Sequence, residues 1–122
     1  MAITLYHGTA RQDWQPHVGA CLTDSESAAA SYASWRGRDA GSVYLIDLDL
    51  GGLVCEDRSH EVDRDAQSWP GDSSASVAAL VADGVDVVTY EDEDERGRAL
   101  TCYRLISDRA ISAVRECYEI EI

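Results

Sequence analysis

The chain contains no lysine, no asparagine and no phenylalanine in 122 residues. All three use AT-rich codons, so a GC-rich genome accounts for their absence without a functional cause. Positive charge is also scarce: ten basic residues, all arginine, stand against 23 carboxylates, for a formal net charge of −13. That balance opposes direct binding to nucleic acid or to an anionic membrane, because like charges raise the cost of approach. It suits either solubility or attraction to basic surfaces, including those that normally hold nucleic acid. No apolar run approaches the length of a membrane span, and the first residues show no basic region followed by an apolar one. The expectation is a cytoplasmic protein with no membrane partner. Cysteine is limited to Cys21, Cys55, Cys102 and Cys117, widely spaced and without a CxxC pair. In a reducing compartment these read as small buried apolar residues and not as disulfides or a zinc site. His7, His17 and His60 lack the spacing of metal ligands, so no metal is expected. Neither GxGxxG nor GxxxxGK[ST] occurs, which argues against Rossmann and P-loop nucleotide folds, and no Gly-x-Ser-x-Gly elbow is present.

What remains is an ordinary apolar fraction of 45% on a length that suits one domain, residues 1–122. Short strands are expected at 3–6 and 21–23. Thr23 with Glu26 fits a capping box for a helix through Ala28–Trp35, stopped by Gly37 and Gly41. Val43–Leu50 alternates, with Tyr44, Ile46 and Leu48 expected on the more buried face. Residues 55–72 are polar and read as a long surface loop. A second helix is expected from Ser74 to Ala82 with Gly84 as its stop, then a buried strand at Val85–Tyr90. Glu91–Arg98 reads as a charged hairpin tip turning at Gly97, Ala99–Ile106 as the returning strand, and Tyr118–Ile122 as an edge strand. Hairpins dominate and no regular βαβ alternation appears, so the fold class is α+β: a small, mostly antiparallel β domain with two or so helices.

One short segment has chemical character. His7-Gly8-Thr9 ends the apolar run Ile3–Tyr6, offering an imidazole, close backbone access and a hydroxyl, a set suited to a polar, sugar-bearing ligand. A plain structural turn reads equally well from these three residues alone. The ordered set Leu5-Tyr6-His7-Gly8-Thr9, then Gly19–Asp24 and Ala28-Ala29-Ala30-Ser31-Tyr32-Ala33, then Val43–Leu48, Gly84–Tyr90 and Cys102–Ile106, resembles the His-Tyr type of ADP-ribosyltransferase. The resemblance covers nearly the whole chain at low identity. It implies the fold of that family and an activity that cleaves NAD and transfers ADP-ribose. It also implies roles: His7 on a ribose hydroxyl, the Gly8 backbone on the nicotinamide amide, Thr9 assisting, and Tyr32 stacked on the nicotinamide ring.

The sequence departs from the family at the acid. The late-strand position that carries glutamate before a tyrosine holds Cys102 before Tyr103. A thiol supplies no fixed charge near neutral pH unless its pKa is lowered. Phage anti-CRISPR ADP-ribosyltransferases are similar here, with an acidic cluster before the turn of this hairpin, matched by Glu91-Asp92-Glu93. Asp92 is the first candidate, then Glu91 and Glu93; a solvated hairpin tip is the alternative for all three. The function implied is mono-ADP-ribosyl transfer from NAD to a host macromolecule in the bacterial cytosol, in the manner of a phage-encoded inhibitor of host defence. Two alternatives stay open: a non-catalytic acidic decoy on a nucleic-acid-binding surface of a host protein, and an NAD glycohydrolase.

Overall fold

A computed structural model describes residues 2–10, 13–34, 41–94 and 96–120. Alternation in the first apolar run produces strand β1, Ala2–Thr9, longer than the expected 3–6. It pairs antiparallel along its whole length with β3, Ser42–Asp49. The other strands are β2 (Cys21–Thr23), β4 (Cys55–Asp57), β5 (Val87–Glu93), β6 (Ala99–Leu105) and β7 (Val114–Ile120). They form one seven-stranded sheet in the order β4-β5-β6-β2-β1-β3-β7. Only β4 runs parallel to its neighbour, β5; the remaining pairings are antiparallel. Three α-helices are seen among the described residues: α1 (Glu26–Ser34), α2 (Ser74–Ala82) and the short α3 (Asp108–Ser112). The class is α+β with a mostly antiparallel sheet, as the hairpin-rich sequence implies.

Packed clusters lie on both faces of the sheet, and polar groups reach solvent between them. On the back face, Leu5, Leu22, Ile46, Leu48, Val87 and Leu105 meet Trp14, Ala110 and Ala113 in the largest core cluster. On the front face α1 packs Ala29 and Ala33 against Val43 and Tyr6. At the far end of that face Leu80 of α2 packs with Val85, Val88 and Ile106. Ile46 and Leu48 are buried as alternation predicts, but so is Val43 on the opposite face, because α1 covers it. Tyr44 is only half-buried.

Local chemistry explains the element ends and several departures. Helix α1 begins two residues later than a Thr23 cap implies: Ser25 Oγ accepts the Ala28 N–H at 3.1 Å, while Thr23 Oγ1 accepts the Ser25 N–H at 3.2 Å. The expected stop at Gly37 lies outside the described residues. Helix α2 has the predicted bounds, with Ser73 as its cap and Gly84 at φ +78 closing it through the Val85 N–H to Leu80 carbonyl bond. The 55–72 segment is not a bare loop: it contains β4, a 3-10 turn at Ser59–Glu61 and an Asp63–Ser68 bridge. A three-residue strand among charged side chains has no periodic signal. The late hairpin also runs further, since Glu91, Asp92 and Glu93 stay in the ladder opposite Thr101, Leu100 and Ala99. Its turn is organised by Asp94, whose carboxylate accepts the N–H groups of Arg98 and Arg96 and is held below the usual carboxylate range by them. The edge strand β7 starts at Val114, and Ile122 lies outside the described residues.

Candidate functional site

The His7–Thr9 end of β1 sits where the sheet opens. Strand β2 pairs with β1 only at Tyr6 opposite Thr23, so beyond Tyr6 the ladder between them stops. The His7 imidazole spans the opening: its Nδ1 lies 2.7 Å from the Cys21 carbonyl oxygen. A carbonyl only accepts, so Nδ1 carries the proton and Nε2 is the acceptor of the neutral ring. The ring stacks on Trp14, centroids 4.0 Å apart and planes 15° apart, and Trp14 in turn touches His17 and Tyr44. Burial lowers the pKa of His7, the Cys21 carbonyl bond opposes that, and His17 lowers it further. An open cleft of about 500 Å³ adjoins Trp14, lined also by Pro16, Tyr44, Ile111, Val114 and Cys117.

Gly8 faces the other way. The carbonyl of Ala29 in α1 occupies the space that a β-carbon on Gly8 would fill. The glycine is therefore required by helix-on-strand packing, and its front face is not open to a ligand. Thr9 beside it is buried. Tyr32, on the α1 that covers this front face, is 62% exposed. Strand alternation directs His7 to the back face with Leu5, whereas α1 and Tyr32 lie on the front. The structure therefore does not gather His7 and Tyr32 on one face.

The acidic candidates follow the pleat of β5. Glu91 and Glu93 are exposed, and Asp92 is half-buried on the face of Tyr90. Asp92 accepts a 2.8 Å bond from Arg64, itself about half exposed, so the 62–72 segment is tied to this strand by an ion pair. Further along that segment Gly71, at φ +78, lies against Arg104 and Ile106.

Between these points is a polar cluster that the motifs did not indicate. Cys21 Sγ lies 3.5 Å from the Tyr90 hydroxyl, and Arg104 Nη2 donates to the same hydroxyl at 2.9 Å. Arg104 Nη1 donates to the Gly19 carbonyl at 3.0 Å. Cys102 on β6 is a further neighbour of Cys21 and acts on its titration. Cys102, with Arg104 and Tyr90, pulls the Cys21 thiol down to about 6 against burial and Asp92; the Cys102 thiol is pushed up. Of the four cysteines only Cys102 is buried; Cys21 and Cys117 are half-buried and Cys55 is exposed, so the expectation of four core thiols fails. Tyr90, Cys21 and Arg104 become neighbours only once the register of β2, β5 and β6 is known, which explains why no spacing reveals them. Arg64 sits in a segment without period and gives no signal either.

Among the described residues no cluster of three or more His, Cys, Asp or Glu side chains is placed to hold a metal ion, and no helix is long and apolar enough to cross a membrane. Comparison with protein-family models, curated proteins and solved structures gives no match.

Proposed function

We propose that this chain is an NAD-dependent mono-ADP-ribosyltransferase acting on a host macromolecule, with the site at the opening between β1 and β2. The observation that carries the reading is the interrupted ladder beside His7: β2 pairs with β1 only at Tyr6 opposite Thr23, and a neutral imidazole of fixed tautomer stands just past that pair. The bond to be broken joins ribose to a cationic nicotinamide, already a good leaving group, so little acid catalysis is required. The work is to hold the dinucleotide and to steady a ribosyl cation. His7 Nε2 would accept from a ribose hydroxyl at the back of the opening, while Tyr32 would cover the nicotinamide and Asp92, then Glu91 or Glu93, would face the cation. For Asp92 to do so, Arg64 must release it. Since His7 and Tyr32 lie on opposite faces, the dinucleotide would have to thread the gap between β1 and β2.

The Arg64–Asp92 pair and the covered front of Gly8 favour a second reading, the acidic decoy that occupies a basic groove on a host protein without turnover. Thermal stabilisation by NAD separates the two. The transferase predicts a raised melting temperature with NAD that His7→Ala and Tyr32→Ala each diminish. Equal melting with and without NAD supports the decoy. If NAD is consumed but no label reaches a macromolecule in host lysate, the activity is that of a glycohydrolase.

A further inference from the structure

Only one of the four thiols sits among groups that favour its anion. Cys21 on β2 meets Cys102 and Arg104 from β6 and Tyr90 from β5, with Asp92 of β5 the opposing charge. Arg104 donates to the Tyr90 oxygen, which leaves the tyrosine proton free to point at the Cys21 sulfur 3.5 Å away. A hydrogen-bond chain thus runs from guanidinium through phenol to sulfur. The cluster is half open, since Cys21 and Arg104 both retain part of their surface. Cys55 is exposed but lies near Asp86, and Cys117 is half-buried; burial pushes both thiols up.

We propose that Cys21 is a covalent modification site, a nucleophilic thiolate that takes small soft electrophiles and hydroperoxides ahead of the more exposed Cys55. With iodoacetamide the sulfur forms a carbon–sulfur bond and iodide leaves. With a hydroperoxide the sulfur attacks the terminal oxygen and the O–O bond breaks. Sulfur is then oxidised by two electrons to the sulfenic acid, and the peroxide leaves as alkoxide or hydroxide and takes a proton from water. Neither step uses NAD, so the site stands or falls apart from the transferase.

The advantage depends on pH in a way that identifies its cause. With a midpoint near 6, Cys21 is about half thiolate at pH 6, where an ordinary thiol is about one part in a thousand; the lower basicity returns a factor of roughly 16–30, leaving Cys21 about 20-fold faster. At pH 9 Cys21 is fully ionised and an ordinary thiol about half so, but the lower basicity makes Cys21 about tenfold slower. The order of reaction should invert.

Brief pulses of iodoacetamide at pH 6 and pH 9, with the labelled cysteine located by mass spectrometry, test this. Cys21 should label first at pH 6 and Cys55 first at pH 9, and hydrogen peroxide with dimedone at pH 6 should mark Cys21. Tyr90→Phe and Arg104→Gln should each cut Cys21 labelling at pH 6 by fivefold or more. Cys102→Ala should move the midpoint upward, and near-wild-type melting shows that a variant is folded. Cys55 labelling first at pH 6 overturns the proposal, as does an unchanged Cys21 rate in folded Tyr90→Phe. If the variants do not fold, the pH inversion in wild type alone decides.

Discussion

Gly8 of β1 and Ala29 of α1 touch backbone to backbone: the helix carbonyl takes the place of the side chain that the strand lacks. Without this contact α1 could not lie against Val43 and Tyr6, and the front face would lose its cover on that side. Gly8→Ala forces helix and strand apart, and a cost of about 2–4 kcal/mol is expected from overpacking against backbone. Urea denaturation should show a lowered midpoint. An unchanged midpoint would mean that the glycine serves a ligand and not the packing.

His7 makes stability depend on pH. Its folded pKa is lowered, chiefly by burial, so below the unfolded value of about 6.5 the unfolded chain binds more protons than the folded one. The His7 contribution is complete above that value and declines as pH falls toward the folded pKa. In His7→Gln, whose amide can still donate to the Cys21 carbonyl, the stability difference from wild type should shift toward the variant between neutral pH and pH 5. Paired denaturation curves check this, and a pH-independent difference would contradict it.

Asp86 is a buried carboxylate satisfied on every side: it accepts Ser107 Oγ at 2.6 Å and the Val54 N–H at 2.9 Å, with Arg109 at 3.5 Å. Burial alone would raise its pKa, but these partners outweigh it and the net shift is downward. It ties the entry of β5 to the segment before β4 and to the cap of α3. Asp86→Ala leaves those donors unpaired and should cost about 3 kcal/mol or more, read as a lowered melting temperature at pH 7. The contribution is present above the ordinary carboxylate pKa and is lost as pH falls through the lower folded value. The wild-type advantage over Asp86→Ala should therefore shrink in acid.

Arg64 competes for the proposed acid. Arg64 is about half exposed and Asp92 half-buried, so the pair is well screened and Arg64→Gln should change stability by less than about 1 kcal/mol. If Asp92 steadies the ribosyl cation, freeing it should raise NAD turnover. A lowered turnover in a normally stable variant would show that Arg64 assists the reaction.

How far the sequence discloses this protein depends on the range of each signal. Helix α2 was legible to the residue because Gly84 and the Ala-rich run act locally. The β3 strand is legible because its alternation is a property of one segment, but the burial of Val43 is not, because its cover comes from α1. Helix α3 and strand β4 are too short to show a period. At the site, His7, Gly8 and Tyr32 could be picked out as residues, but not their faces. Register and helix placement decide that His7 stacks on Trp14 behind the sheet while Tyr32 lies in front. The Cys21–Tyr90–Arg104 cluster joins three strands distant in the chain and has no local trace.

The central claim is the cleavage of NAD at this site, and release of nicotinamide measures it most directly. Wild type should release nicotinamide from NAD and pass labelled ADP-ribose to a macromolecule in host lysate. Asp92→Asn should keep NAD-induced thermal stabilisation while turnover falls by about two to three orders of magnitude, as for a charge used mainly in the transition state. The combined Glu91→Gln, Asp92→Asn, Glu93→Gln variant should fall further. Full activity in the triple variant would remove the acid from this strand. No nicotinamide release by wild type in the presence of host lysate would contradict the account and leave the acidic decoy.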